Sequence, residues 1–466
     1  MPNPLLSIDR ALVGDIYTSR EVMDNLEVLC DDFGSRWAGS EGERLAAELF
    51  ERKLAEYGLA NVRREPFDYV GWERGPASLR VITPVERELP CISLPMCPPA
   101  VVEAPLVWVG DGAPAEFEAV AGRLTGAVAM VGTTPPRGVG RTIHRSEKYQ
   151  RSVLGGAAVF LYMSQYPGYG PETGSIASDR EALIPGVSIG KEAGELLLRL
   201  ERRYGPLTLR VETTDRSRKA TSWNVVGELP GRTHPDEWVL VGCHYDGHDI
   251  AQGAHDPASG SVAVLEAARV LAQHAAQAVG CGIRFVEFGV EETGLIGAWR
   301  YVTQHADELD RIRFMLNLDA AGGANRKGLV VNRWPELDPV FREWEKEMAV
   351  ELPVGQRTSA FSDHFPFFQS GVPTAMMGDP HAANTGRGYD HTAHDTLDKV
   401  VLNDLREAAA VAARLALRMS RLEPWPLKRR TPEEVRALVA AEPSLEGQAI
   451  KDAVERLYAA RDGGGA

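Results

Sequence analysis

The sequence predicts an α/β protein, a sheet-centred α/β domain that is interrupted by an inserted β-rich domain. Three observations predict it. From about residue 224 to 422, apolar strand-like runs alternate with stretches of helical periodicity, the pattern of a sheet covered by helices. From about 95 to 211 the chain changes to short β-like runs split by Gly and Pro. Three apolar runs also end in side chains of the metal-binding kind: 239–243 runs into His244-Tyr245-Asp246, 283–290 into Glu291-Glu292, and 312–318 into Asp319. Ligands of open α/β sheets bind beyond the carboxyl ends of the strands, so the three endings predict one polar site on one sheet edge. Carboxylates crowded there repel unless a cation neutralises them, which points to a metal-dependent hydrolase.

The elements follow in order. Residues 18–58 read as helical, with Ser40 as a cap, Leu45, Leu49, Phe50 and Leu54 at helical spacing, and Gly58 as the stop. Residues 62–69 and 77–82 read as strands. In the inserted segment, 106–110, 126–131 and 157–162 are the clearest β-like runs, and 216–219 is the return linker. The tail from Thr431 is polar, with helical spacing of Val435, Leu438, Val439, Ile450, Val454 and Leu457, and residues 463–466 are expected to be disordered. The predicted boundaries are 1–94 and 216–428 for two segments of one catalytic domain, 95–215 for the insertion and 429–466 for a helical tail.

Composition excludes several classes. A net charge of −14 argues against a general nucleic-acid or membrane-surface binder. Five scattered cysteines form no CxxC pair, so neither a zinc ribbon nor a disulfide framework is expected. No basic segment followed by an apolar core opens the chain and no run is long enough to span a bilayer, so a soluble, cytoplasmic protein is expected.

The candidate site is built from five short signals. In His244-Tyr245-Asp246 a carboxylate two residues on can orient a ligating imidazole. Asp256 lies in a polar turn ahead of an apolar helix, with Ser259 as a plausible N-cap and an Asp256-Pro257 bond suited to the cis form. Adjacent acids at a strand end point in different directions, so one of Glu291 and Glu292 can bind a metal while the other faces the reacting water. Asp319 ends a very apolar run, where a carboxylate is costly unless paired or metal-bound. In the run 390–398, His391 and His394 compete for a ligand role, and seven of the eleven histidines fall in 244–255 or 364–394. Each signal alone has a bland reading as loop, cap or solvated acid.

Together and in this order they resemble the M28 metallopeptidases, the co-catalytic two-zinc aminopeptidases and carboxypeptidases. The family pattern is His-x-Asp, Gly-x-x-Asp-x-x-Ser-Gly, Glu-Glu, an Asp after a strand, and His-Thr/Ser-x-x-Asp/Glu-Thr. The stretches 33–40, 54–59 and 72–75 resemble the amino-terminal region of the branch that includes carboxypeptidase Q, and the insertion is similar to a protease-associated domain. The stretch 361–367 resembles a segment lining the family's site. The resemblance implies two zinc ions, one held by His244 and Asp319, the other by Glu292 and His391, with Asp256 bridging them. It implies a three-layer α/β/α fold on a mixed sheet, Glu291 as general base, Asp246 as the partner that orients His244, and a homodimer. His391 is preferred to His394 because it directly precedes Thr392 of the motif. The residue before this histidine is often aromatic in relatives; here it is Asp390, with Tyr389 one step back.

The implied activity is hydrolysis of a terminal peptide bond of short peptides, as an aminopeptidase or dipeptidase. A glutamate-type carboxypeptidase and a glutaminyl-cyclase-like single-zinc transferase are the alternatives. Substrate contacts are expected from His364, Asp390 and Tyr389, with Arg357 and Arg387 as further candidates near the site. Arg141, His144, Arg145 and Lys148 are the candidates within the insertion, whose simpler role is a lid.

Overall fold

The structure, a computed structural model, describes residues 3–323, 326–381 and 389–463. The chain divides into two compact units: Met1–Asp68 with Thr221–Gly386 and Asp395–Glu442, and Tyr69–Ala220 with Arg387–His394 and Pro443–Ala466.

The first unit is built on eight strands: β1 (Ala60–Glu73), β2 (Arg216–Leu229), β3 (His234–His244), β4 (Cys281–Phe288), β5 (Ile312–Asn317), β6 (Leu329–Val331), β7 (Val354–Gln356) and β8 (Thr374–Met377). Their order is β1-β2-β4-β3-β5-β8-β6-β7. The central pairs β3–β4, β3–β5 and β5–β8 are parallel, while β2–β4 and β6–β8 are antiparallel, so the sheet is mixed.

The central strands are apolar on both faces, and this follows from the twofold alternation of side chains along a strand. Val239, Val241, Ile283, Phe285, Phe314 and Leu316 join one core. That core is completed by Leu12 and Ile16 of helix α1 (Leu6–Thr18), Phe50 of α2 (Glu41–Glu56) and Val262 and Leu265 of α3 (Ser259–Ala275). Leu240, Val286, Phe288 and Met315 face the other way, against Tyr301 of α4 (Ile296–Gln304) and Phe367 of α5 (His364–Gln369). Each such side chain contributes about 1.5–3 kcal/mol by leaving water. The predicted three-layer arrangement is present.

The amino-terminal helices belong to this unit for a specific reason. Asp9 of α1 is buried and accepts from Arg418 (2.7 Å) and Arg414 (3.2 Å) of helix α6 (Leu402–Arg421). Ser40 caps α2 as expected, accepting from the Glu43 amide at 3.2 Å.

The second unit has its own eight-stranded sheet. Its strands Ala100–Gly110, Val128–Gly132, Val159–Met163 and Gly186–Ile189 pair in parallel. Parallel neighbours need crossover connections; the helices Pro114–Leu124 and Arg145–Leu154 supply the first two, residues 164–185 the third without a helix, and Lys191–Tyr204 follows the last strand. The unit is therefore α/β, not simply β-rich; the short Gly-punctuated runs concealed its helices. It begins at Tyr69, ahead of the composition change, because Ala77–Thr83 pairs with Thr208–Thr213.

The tail forms the helices Pro432–Ala441 and Lys451–Gly463. Its last residues 464–466, expected to be disordered, lie outside the described residues. No helix of the described residues is long and apolar enough to cross a membrane.

Candidate metal centre

The parallel strands β3, β4 and β5 end side by side, and their endings carry the site. His244 is the last residue of β3 and pairs with Phe288, the last of β4. The chain then reverses through Val290, which is fully buried at a φ of 60°, a left-handed conformation that a β-branched residue adopts only when its surroundings enforce it. Asp246 enforces it. One carboxylate oxygen accepts from the Glu291 amide (2.9 Å) and the other from the Glu292 amide (3.2 Å). Both glutamates are thus fixed at the backbone by the residue two beyond His244.

His244 is 1 % exposed. Its Nδ1 lies 3.1 Å from the backbone carbonyl of Asp246 and 3.6 Å from that residue's carboxylate. Donating from Nδ1 to the carbonyl leaves Nε2 with its lone pair directed at the site. The orienting partner is thus chiefly the Asp246 main chain, while its carboxylate holds the glutamates. Nε2 of His244 is 3.4 Å from Asp256 Oδ1 and 3.5 Å from Asp319 Oδ1. Ligand atoms 2.0–2.1 Å from a tetrahedral zinc stand about 3.3 Å apart; His244 has close to that spacing from each carboxylate, and the three ligand atoms lie within 4.8 Å of one another.

Each carboxylate is held in place. The Asp256 turn, whose bond to Pro257 is cis as expected, is tied to Asp395, which accepts from the His255 amide (2.7 Å) and the Asp256 amide (3.0 Å). Asp319 accepts from Ser362 Oγ (2.6 Å), and Ser362 accepts in turn from Asn317 (2.6 Å). Ser259 does not cap α3. Its hydroxyl donates to the His255 carbonyl (2.6 Å) and accepts from the Gly322 amide (2.9 Å), joining the loops of Asp256 and Asp319.

Beside it, Gly260 packs so closely that a Cβ would stand 1.7 Å from the Asp319 carbonyl oxygen. Gly260→Ala is expected to cost about 1–3 kcal/mol by overpacking and to weaken zinc binding by displacing Asp319. Thermal unfolding with and without zinc checks this, and an unchanged zinc-induced stabilisation would contradict it.

The charge balance points the same way. Burial alone would depress the pKa of His244, but Glu291, Asp246, Asp256 and Asp319 outweigh it and hold the imidazole well above its usual range. Burial pushes Glu291 well above the usual carboxylate range, and Glu292, Asp363 and Asp319 add to the shift, partly offset by His244. Asp363 is fully buried and shifted upward for the same reasons. This many acids around one histidine fit a site that holds cations.

A family model described as "Peptidase family M28" matches residues 224–416. The chain carries an M28 peptidase domain. The chain is 27 % identical to carboxypeptidase Q of Mus musculus over 407 residues, 84 % of each chain. It is 30 % identical to aminopeptidase YwaD of Bacillus subtilis (strain 168) over 274 residues, 56 % of this chain and 57 % of that one; it therefore spans a little over half of that relative. In structure it resembles an M28 peptidase precursor from Shewanella amazonensis, with a TM-score of 0.76 and 25 % identity over 91 % of this chain and 98 % of the other. It also resembles a zinc aminopeptidase of Bacillus subtilis, with a TM-score of 0.66 and 25 % identity over 85 % and 93 % of the two chains.

Not every expected residue stands where the sequence suggested. His364 is fully enclosed; its Nε2 lies 2.9 Å from the Ser359 carbonyl, and burial pushes its pKa down to about 4. It is a neutral support for the 359–362 loop, not a substrate contact. Arg357 is exposed, and Arg387 lies outside the described residues.

Tyr389, Asp390 and His391 belong to the second unit. There Tyr389 stacks on Tyr169 at 5.9 Å, and the His391 carbonyl accepts from the Thr173 amide at 2.8 Å. In the same unit Lys148 is buried on the Gly132 carbonyl (2.7 Å), Arg141 pairs with Glu147 (2.6 Å), Arg145 binds the Ser175 carbonyl (3.1 Å) and His144 Nδ1 meets Ser146 Oγ (2.8 Å). These four brace their own unit.

Two residues were missed. Arg36 is 0 % exposed and donates to the carbonyls of Tyr245 (3.0 Å), Gln252 (2.6 Å) and Gly253 (2.8 Å), clamping the loop between His244 and Asp256. His248 lies with its Nε2 2.8 Å from Glu292 Oε2. Its four-residue spacing from His244 and its place in the histidine cluster were the available signals.

Proposed function

We propose that this chain is a zinc-dependent exopeptidase that removes a terminal residue from short peptides, as an aminopeptidase or dipeptidase. The observation that carries the proposal is the convergence of His244, Asp256 and Asp319, whose ligand atoms lie within 4.8 Å of one another, with Glu291 locked to the same site through Asp246. The family match and the relatives named as aminopeptidases support it. A second ion is proposed at Glu292, and the place of His391 in its ligand set rests on the order of the sequence motifs.

Zinc in such a site lowers the pKa of water and polarises a carbonyl. The protein's own residues do the rest. Glu291 takes the proton of the attacking water and returns it to the leaving amine. Its raised pKa in the ion-free site falls toward the useful range once cations face it. Asp246 holds Glu291 at its post, and Ser362 and Asp395 keep the ligands Asp319 and Asp256 from turning away.

A glutamate-type carboxypeptidase is the second reading, favoured by the alignment with carboxypeptidase Q along 84 % of both chains. The five cysteines all stand as free thiols, which suits a reducing compartment such as the cytoplasm.

The test is a panel of amino-acyl chromogenic substrates, dipeptides and blocked peptides, assayed before and after chelation. Activity on free amino termini, lost on chelation and restored by zinc, is expected. Turnover of carboxy-terminal glutamyl peptides alone selects the second reading, and chelator-insensitive activity defeats both.

A further inference from the structure

The pair formed by His248 and Glu292 differs in kind from the other contacts of the site. His244 stands 3.4 and 3.5 Å from its two carboxylates, the spacing of donors that share an ion. His248 Nε2 stands 2.8 Å from Glu292 Oε2, too close for that and suited to a hydrogen bond. An ionised carboxylate only accepts, so the imidazole is the donor. A carboxylate binds a cation through either of its two oxygens, so this bond fixes the group's orientation without using up its capacity as a ligand.

His248 is itself built in. Its side chain is 4 % exposed, as is that of Glu292. Its ring stacks on Trp37 at 5.7 Å with 20° between the planes. Its carbonyl accepts from Ser35 Oγ at 3.2 Å, and Arg36 between them clamps the loop on either side of it. The segment Ser35-Arg36-Trp37, far away in sequence, thus sets the imidazole against the glutamate.

We propose that His248 is a positioning residue that holds the Glu292 carboxylate in its metal-binding orientation and so sets the affinity of the second zinc relative to the first. This rests on the reading of Glu292 as a zinc ligand. Partners of this kind typically change metal affinity 10–100-fold when removed.

The experiment is a chelator-competition titration of the full chain with zinc, together with thermal unfolding of the zinc-free protein. His248→Phe keeps an aromatic ring against Trp37 and removes the donor. It is expected to weaken one zinc site by about 10–100-fold and leave the other unchanged, with zinc-free unfolding close to that of the parent. His248→Gln restores an N–H donor and is expected to recover most of the loss. Two undiminished sites in His248→Phe, with two also in the parent, overturn the proposal while leaving the zinc reading intact. A loss in His248→Gln as large as in His248→Phe also overturns it, because the ring nitrogen would then be a ligand. A parent chain that takes up no zinc removes the underlying reading instead.

Discussion

Glu291→Gln is expected to lower turnover by about 10²–10⁴-fold, the usual contribution of a general base, while the zinc content stays that of the parent. The substitution is nearly isosteric, so packing is preserved. The Glu291 amide still donates to Asp246 at 2.9 Å, because that bond is made by the main chain. What disappears is the carboxylate's capacity to accept a proton. Glu291 is half-buried, and burial together with Glu292, Asp363 and Asp319 already disfavours its charge in the ion-free site, so a neutral amide is tolerated there. The zinc-free variant should therefore be no less stable than the parent. Steady-state kinetics on a dipeptide and elemental analysis of the purified variant check the two halves separately. Near-normal turnover would remove Glu291 from the chemistry.

The second large effect is expected from Asp246→Asn. Asp246 is fully buried and accepts two main-chain bonds with two carboxylate oxygens. An amide offers only one acceptor, so its NH₂ group must face the amide of Glu291 or Glu292. A buried donor left without an acceptor costs about 1–3 kcal/mol. Val290 sits in a strained conformation between β4 and these amides, and the strain persists only while they are held. Releasing one of them lets the base or the ligand swing away. Zinc affinity and kcat/KM are expected to fall by about 10–100-fold each, with a loss of stability even without metal. A variant of unchanged zinc-free stability would show that Asp246 does not hold the turn.

How far the site could be read in advance follows from where its residues sit. His244, Glu291, Glu292 and Asp319 stand where long apolar runs stop, and a polar side chain at the end of a buried strand is conspicuous. Asp256 was visible because a turn precedes an apolar helix. His248 and Arg36 have no such frame. Each lies in an irregular stretch without periodicity, and each acts through partners more than forty or two hundred residues away, such as Glu292 and Gln252. His364 was misread for the opposite reason: a histidine beside the site motif looks functional, whereas its imidazole is sealed inside and bonded to Ser359.

The pattern of apolar and polar residues was enough to specify the sheet, its helical cover and the edge on which acids and histidines collect, because side-chain alternation and strand length are local properties. Which atom meets which was settled only by folding. That Asp246 serves the glutamates with its carboxylate and His244 with its carbonyl, that Ser259 ties two loops instead of capping a helix, and that Arg36 grips the loop after β3 are outcomes of long-range packing. Hydrogen bonds reach only about 3 Å, and linear distance along a chain carries no information at that scale.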